Sequence, residues 1–173
     1  MGRDKARVKL NEQTTLIEAA TAPLRSRFGG VVAVADRPGK YDDLGFETIA
    51  DDQPHRGPLG GILTACAHSD HPYLFVLGCD RLGLNPDWVD ILEKKLEGTP
   101  PAVAFVHDGR WQPLFAFYRT DLTEDIQQFL DGESAAVWRF LEQIGAVGVD
   151  APAEWSDTLR VNTPEQLAIA RSM

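Results

Sequence analysis

Apolar residues in this chain come in short runs that end abruptly in polar or acidic residues. Tyr73 to Leu77 (YLFVL) shows no alternation at all, the pattern of a strand buried on both faces, as parallel sheets use. Val31 to Ala35 (VVAVA) repeats it, and Phe46 to Ala50 is a shorter stretch of the same kind. Ala102 to Val106 and Leu114 to Tyr118, joined through a His107-Asp108-Gly109 turn, predict a pair that brings antiparallel character to one side of the sheet. Val147 to Val149 and Leu159 to Val161 are short strand candidates.

Between the runs the spacing turns helical. Leu16, Ala20, Leu24 and Phe28 predict a helix over 16–28, which Pro23 either kinks or divides. Further helices are expected from about Leu59 to His68, from Asp87 to Glu97, from Thr120 to Leu130 and from Ala135 to Ile144. A last one opens at Thr163-Pro164-Glu165, with Thr163 as cap and Pro164 in the first position. Alternating strand and helix in the first half implies an α/β fold with a mostly parallel sheet.

Length and composition narrow the reading. At 173 residues and 43% hydrophobic, the chain can bury a full core and is expected to form one domain over 1–173. No run approaches the roughly 18 apolar residues of a membrane span, so a soluble cytoplasmic protein is expected, with no membrane partner. A net charge of -9 argues against sequence-independent nucleic-acid binding, which needs clustered cations. Cys66 and Cys79 form no C-x-x-C pair and read as small core residues.

Candidate chemistry gathers where strands end. Asp80 follows Gly78 and Cys79 just past the Tyr73–Leu77 run, at the carboxyl edge where open α/β sheets bind ligands. A hard carboxylate there suits Mg²⁺ held between protein and phosphate oxygens, and equally suits a cap of the next turn. Asp36 follows the second run and Asp51 the third, so three strands deliver an aspartate to one edge. Gln53 to Gly61 (QPHRGPLGG) is a Gly-rich turn feeding a helix, which presents backbone N–H groups to an anion or a base and reads also as a plain flexible loop. Arg3, Lys5, Arg7 and Lys9 make the most basic stretch. His68, Asp70 and His71 are expected to be surface residues at a helix end, opposite the carboxyl edge.

Taken in order, MGRDKA, the strand ending in an acid, TIADD, GPLGG, the strand ending in GCD, HDGRWQPL and VNTPEQL resemble the molybdenum cofactor guanylyltransferases, bacterial enzymes that join GMP to molybdopterin. The resemblance runs over essentially the whole chain. It implies a three-layer α/β/α Rossmann-like nucleotidyltransferase sandwich that consumes Mg²⁺-GTP and releases pyrophosphate. By the same resemblance Lys5 matches a lysine that pairs with nucleotide phosphate, and Asp36 falls where an asparagine near the nucleotide is common. Asp51 matches an aspartate of the GTP site, Gly57, Pro58 and Leu59 the loop beside the guanine, and Asp80 the ligand of Mg²⁺ and GTP. Pro113 lies in the strand lining the second substrate's side, and Asn162 matches an asparagine of the pterin half. Transient contact with cofactor biosynthesis or recipient proteins is also implied.

The chain departs from the family pattern in three places. Arg81 and Leu82 replace the residues of a C-D-M-P or C-D-T-P loop, and Arg160 stands where an asparagine is common. Family members begin with a buried strand and an L-A-G-G-x-S-x-R-M-G loop, whose backbone N–H groups cradle phosphate; this sequence starts at the M-G. The expectation is that Met1 is an internal methionine, with about 15 to 20 residues preceding it. The strand so lost would lie between Val31–Ala35 and Tyr73–Leu77 and leave two unpaired edges unless the neighbours close up. The alternatives are a nucleotidyltransferase with another acceptor or nucleotide, or a relative that binds the cofactor without catalysis.

Overall fold

The computed structural model describes residues 4–132 and 134–173, so Met1 to Arg3 of the first motif lie outside the described residues. The strands are β1 (Val32–Ala35), β2 (Glu47–Ala50), β3 (Tyr73–Leu77), β4 (Arg81–Leu82), β5 (Ala102–His107), β6 (Arg110–Arg119), β7 (Val147–Asp150) and β8 (Leu159–Arg160). The helices are α1 (Leu16–Thr21), α2 (Gly57–Ala67), α3 (Asp87–Glu93), α4 (Thr123–Leu130), α5 (Val137–Gln143) and α6 (Pro164–Ser172). Pro23 divides rather than kinks its helix: α1 stops at Thr21, and only a short 3₁₀ turn, Arg25–Arg27, follows.

The main sheet has four strands in the order β3-β6-β5-β7. β6 runs antiparallel to both neighbours and β5 runs parallel to β7, so β3, β5 and β7 share one direction and β6 alone is reversed. The antiparallel strand therefore stands inside the sheet and not at its side as the sequence implied. Local signals define a hairpin, whereas the insertion of β6 between β3 and β5 is decided by long-range pairing that no short window contains.

Layering follows from period-two alternation on β5 and β6. Ala102, Ala104, Ala116 and Tyr118 face one cluster with α2, α4 and α5, through Leu59, Ile62, Leu63, Ile126, Phe140 and Leu141. Val103, Phe105, Phe115 and Phe117 face the other, where Trp88 and Leu92 of α3 meet Trp155. Alanines on the first face let helices approach; aromatic rings fill the second, Phe115 meeting Trp155 edge-on at 5.2 Å and Phe105 stacked at 5.6 Å. Fully burying such a side chain contributes about 1.5–3 kcal/mol. Helices on both sides of a sheet give the α/β/α sandwich.

Two features differ from the apolar pattern. All five residues of β3 are only half-buried, although their sequence reads as buried on both faces. The reason is position: β3 ends the sheet and pairs with β6 alone. Among the described residues β1 pairs only with β2, in a separate parallel two-stranded sheet, and Val32 is 50% exposed. No ladder joins β1 to β3 among the described residues, so the two edges stay apart rather than closing together. The third sheet, β4 with β8, pairs a two-residue strand that the sequence reads as loop.

Candidate active site

Asp80 is placed by a turn whose glycine lets its neighbours approach closely. Gly78 N–H donates to the Leu114 carbonyl at 2.9 Å. A Cβ on Gly78 would stand 3.2 Å from both Leu114 Cβ and Asp80 Oδ1. Leu114 lies in a bulge of β6, where Gln112 to Phe115 face the single residue Phe105 between the paired positions Ala104–Ala116 and Val106–Trp111. Pro113 sits inside that bulge, where a residue without an N–H costs no ladder bond. Pro113 thus reaches the site indirectly, through Leu114 and the Gly78 turn, and its carbonyl accepts the Tyr118 hydroxyl at 2.9 Å.

Beyond Asp80 the chain pairs at once with its carboxyl-terminal part. The Asp80 carbonyl accepts Val161 N–H at 2.7 Å, and Arg81 and Leu82 pair with Arg160 and Leu159. Asn162 follows directly, and its Oδ1 lies 2.5 Å from Lys5 Nζ. Lys5 Nζ is 3.6 Å from Asp80 Oδ2, and Arg160 Nε is 3.3 Å from the same oxygen. The Asp80 side chain is 16% exposed. Residues 5, 80 and 162 therefore meet at one point.

A second ion cluster adjoins the first. Lys40 Nζ lies 2.8 Å from Asp36 Oδ1 and 3.0 Å from Asp4 Oδ2, and the Tyr41 hydroxyl donates to Asp4 at 3.0 Å. The Lys40 ammonium holds the exposed Asp36 carboxyl below its ordinary pKa, chiefly through their hydrogen bond. Burial, then the Asp4 carboxylate, pushes the Tyr41 phenol up to about 12. Cys79 packs beside Ala6, Ala35 and Tyr41, linking the two clusters, and burial with the Asp80 charge pushes its thiol up to about 11. It is a packing residue at neutral pH, not a nucleophile.

Asp51 stands on the same edge as Asp36, for its N–H donates to the Ala35 carbonyl at 2.6 Å. Its carboxylate, however, binds locally: Oδ1 accepts from Gln53 N–H at 2.9 Å and from Thr64 Oγ1 at 3.1 Å. Asp51 thereby fastens the 51–56 loop to α2. Gly57, at φ 66°, and Pro58 begin α2, and the buried Leu59 side chain belongs to the core. This stretch offers a ligand backbone and not side chains. Gly60 is demanded by the same loop, since a Cβ there would come within 2.8 Å of the Gln53 carbonyl.

His68 is exposed as expected but is not remote from the carboxyl edge. Its Nε2 lies 3.1 Å from Oδ2 of Asp52, two residues past β2. Sequence reasoning missed Lys40, Asp4 and Arg81 as parts of the rim. Lys40 stands four residues after Asp36 across the Arg37-Pro38-Gly39 turn, a spacing that was available as a signal; the others have none.

Known proteins share this chain's sequence pattern and fold. The family model of the MobA-like NTP transferase domain matches residues 1–147. The molybdenum cofactor guanylyltransferase of Shewanella halifaxensis is 33% identical over 173 residues, covering 95% of this chain and 84% of its own length. That of Syntrophotalea carbinolica is 27% identical over 172 residues, covering 95% and 81%. In fold, the crystal structure of molybdopterin-guanine dinucleotide biosynthesis protein A from Archaeoglobus fulgidus matches with a TM-score of 0.79 at 21% identity, over 99% of this chain and 90% of that one. A strand-end acid, a facing lysine and a family match over most of the chain lead to one conclusion: this chain belongs to the MobA-like NTP transferases, a family of nucleotidyltransferases.

Proposed function

We propose that the chain transfers GMP from GTP to molybdopterin, releasing pyrophosphate. The observation that carries this reading is the meeting of Lys5, Asp80 and Asn162 on one rim within 3.6 Å of one another through Lys5 Nζ. In the reaction an oxygen of the acceptor's terminal phosphate attacks the α-phosphorus of GTP. A new P–O bond forms, the bond from the α-phosphorus to the bridging oxygen breaks, and the electron pair leaves with pyrophosphate. A phosphate oxygen is already ionised at neutral pH, so no general base is needed, and positioning with charge neutralisation carries the catalysis.

Each residue then has a defined task. Lys5 neutralises triphosphate charge; at about 4 Å and an effective dielectric near 20 the attraction is on the order of 4 kcal/mol before desolvation. It contacts the neutral Asn162 amide and, at 3.6 Å, the Asp80 carboxylate, and with its side chain 35% exposed the ammonium can turn to phosphate. Asp36 and Asp51 line the nucleotide side, and the backbone of Gly57, Pro58 and Leu59 receives the guanine. Pro113 and Asn162 border the acceptor. No group of three or more His, Cys, Asp or Glu side chains gathers for a metal among the described residues. The donor set fits Mg²⁺ held by the single half-buried Asp80 carboxylate and by phosphate oxygens of the substrate, the mode that ion favours. Magnesium bound there supplies Lewis-acid stabilisation of the charge that develops on those oxygens.

The test is a pyrophosphate-release assay with molybdopterin and either GTP or CTP in the presence of Mg²⁺. Turnover with GTP well above CTP supports the reading. Equal turnover, or a preference for CTP, would assign the chain to another reaction of this class.

A further inference from the structure

Arg81 and Arg160 stand directly opposite each other on the β4–β8 ribbon, so their side chains share one face. Like charges in that arrangement repel, and of the two only Arg160 has an acid in contact among the described residues, Asp80. The Arg81 guanidinium is half-buried and bound only by neutral groups: Thr158 Oγ1 at 2.5 Å, Gln112 Oε1 at 3.2 Å and the Trp155 ring, whose centroid lies 4.6 Å away. Arg160 reaches Asp80 through Nε, and Lys5 shares that same carboxylate oxygen. Lys5 and Arg160 thus share one acid, and among the described residues Arg81 beside them has no acid in contact, in a protein whose net charge is -9. A half-buried cation without a counter-charge is costly, and an anion of two negative charges would neutralise the excess.

We propose that Arg81 and Arg160 form a binding site for a phosphate dianion, the terminal phosphomonoester of the acceptor. The assignment to the acceptor rests on the transfer reaction proposed above. Asp51 is tied to the end of β1 and to α2, Lys5 meets Asp80 and Asn162, and Arg81 of the arginine pair reaches Gln112. A nucleotide base held at 57–59 leaves the arginines to the second substrate, next to Asn162. Planar guanidinium forks suit this task because they donate pairs of N–H bonds to phosphate oxygens.

The test begins with inorganic phosphate as probe. Arg81 also packs on Trp155, so its replacement perturbs folding; the exposed Arg160 isolates the charge. Thermal melting of the wild-type chain should rise with phosphate concentration at matched chloride ionic strength, as any ligand that binds only the folded state requires. Arg160→Gln should weaken phosphate binding by roughly tenfold to a hundredfold, the loss of charge-assisted hydrogen bonds, and Arg160→Lys should restore part of it. An unchanged phosphate response in Arg160→Gln would overturn the site. In turnover assays Arg160→Gln should raise the acceptor KM at least tenfold while the GTP dissociation constant stays within twofold. A weakened GTP with unchanged acceptor KM would overturn the assignment to the acceptor. Should the wild-type chain transfer no GMP, the reaction falls while the phosphate titration still decides the arginine pair.

Discussion

Replacing Gly78 by alanine tests how the Asp80 carboxylate is held. The new methyl would stand 3.2 Å from Asp80 Oδ1 and from Leu114 Cβ, and 3.3 Å from Leu114 Cδ1. Such contacts require the neighbours to give by a few tenths of an ångström. Overpacking costs typically 1–3 kcal/mol, and a displacement this small belongs at the lower end, about 1–2 kcal/mol. For a chain of 173 residues that corresponds to a fall in Tm of roughly 2–8 °C. The effect on catalysis is larger, because the same methyl pushes on the carboxylate that the reaction uses. A misplacement approaching 1 Å costs on the order of a hundredfold, so kcat/KM should fall by roughly tenfold or more. Gly61→Ala is the control: its Cβ would meet only Val34 Cγ1, at 3.9 Å, and alanine should stabilise the helix by up to ~1 kcal/mol. Differential scanning calorimetry gives Tm, and pyrophosphate release gives kcat/KM. A Gly78→Ala protein with lowered Tm and activity within twofold of wild type would refute the idea that this turn aims Asp80 at the reaction.

Other perturbations follow from the same geometry. Gly60→Ala forces a methyl to within 2.8 Å of the Gln53 carbonyl; GTP affinity should weaken as the 51–56 loop shifts, and calorimetric GTP titrations matching wild type would show that the loop does not bear on the nucleotide. Phe115→Ala opens a cavity among Phe105, Trp88 and Trp155 and should cost about 3–5 kcal/mol, read from the urea midpoint. The Cys79 thiol is raised to about 11 from an ordinary value of 9.0, so above pH 9 the unfolded chain loses a proton that the folded chain keeps. Stability is therefore full below about pH 9 and declines towards pH 11. Urea midpoints at pH 8, 9, 10 and 11 should fall less steeply in Cys79→Ala, and parallel curves would contradict the assignment.

The sequence carried the elements further than it carried their neighbours. Tyr73 to Leu77 is a strand with the predicted ends, Pro23 breaks its helix, and Thr163 caps α6, its Oγ1 accepting Gln166 N–H at 3.3 Å. All three are local effects, legible within a few residues. The burial of β3 was not legible, because an apolar run cannot say how many strands flank it. β4 escaped notice because its two residues become a strand only by pairing with β8, 77 positions away at Leu82 and Leu159. In the site, Asp80 was legible at the end of its strand, Lys5 and Asn162 came from resemblance, and the three do converge. Lys40 was legible from its spacing of four from Asp36, whereas Arg81 was not, because composition cannot place a cation against a distant ring. Asp51 was legible as a residue of the correct edge, yet its carboxylate serves the loop through Thr64.

The account rests on Asp80 as the centre of the transferring rim. Its most direct test is the rate of GMP transfer by Asp80→Ala beside the wild-type chain, with Tm measured on both. Loss of an electrostatic contact at the reacting phosphates should lower kcat by about a hundredfold or more, while Tm stays within a few degrees because the backbone bond from Val161 to the Asp80 carbonyl remains. Transfer within a few-fold of wild type by a folded Asp80→Ala protein would contradict the account.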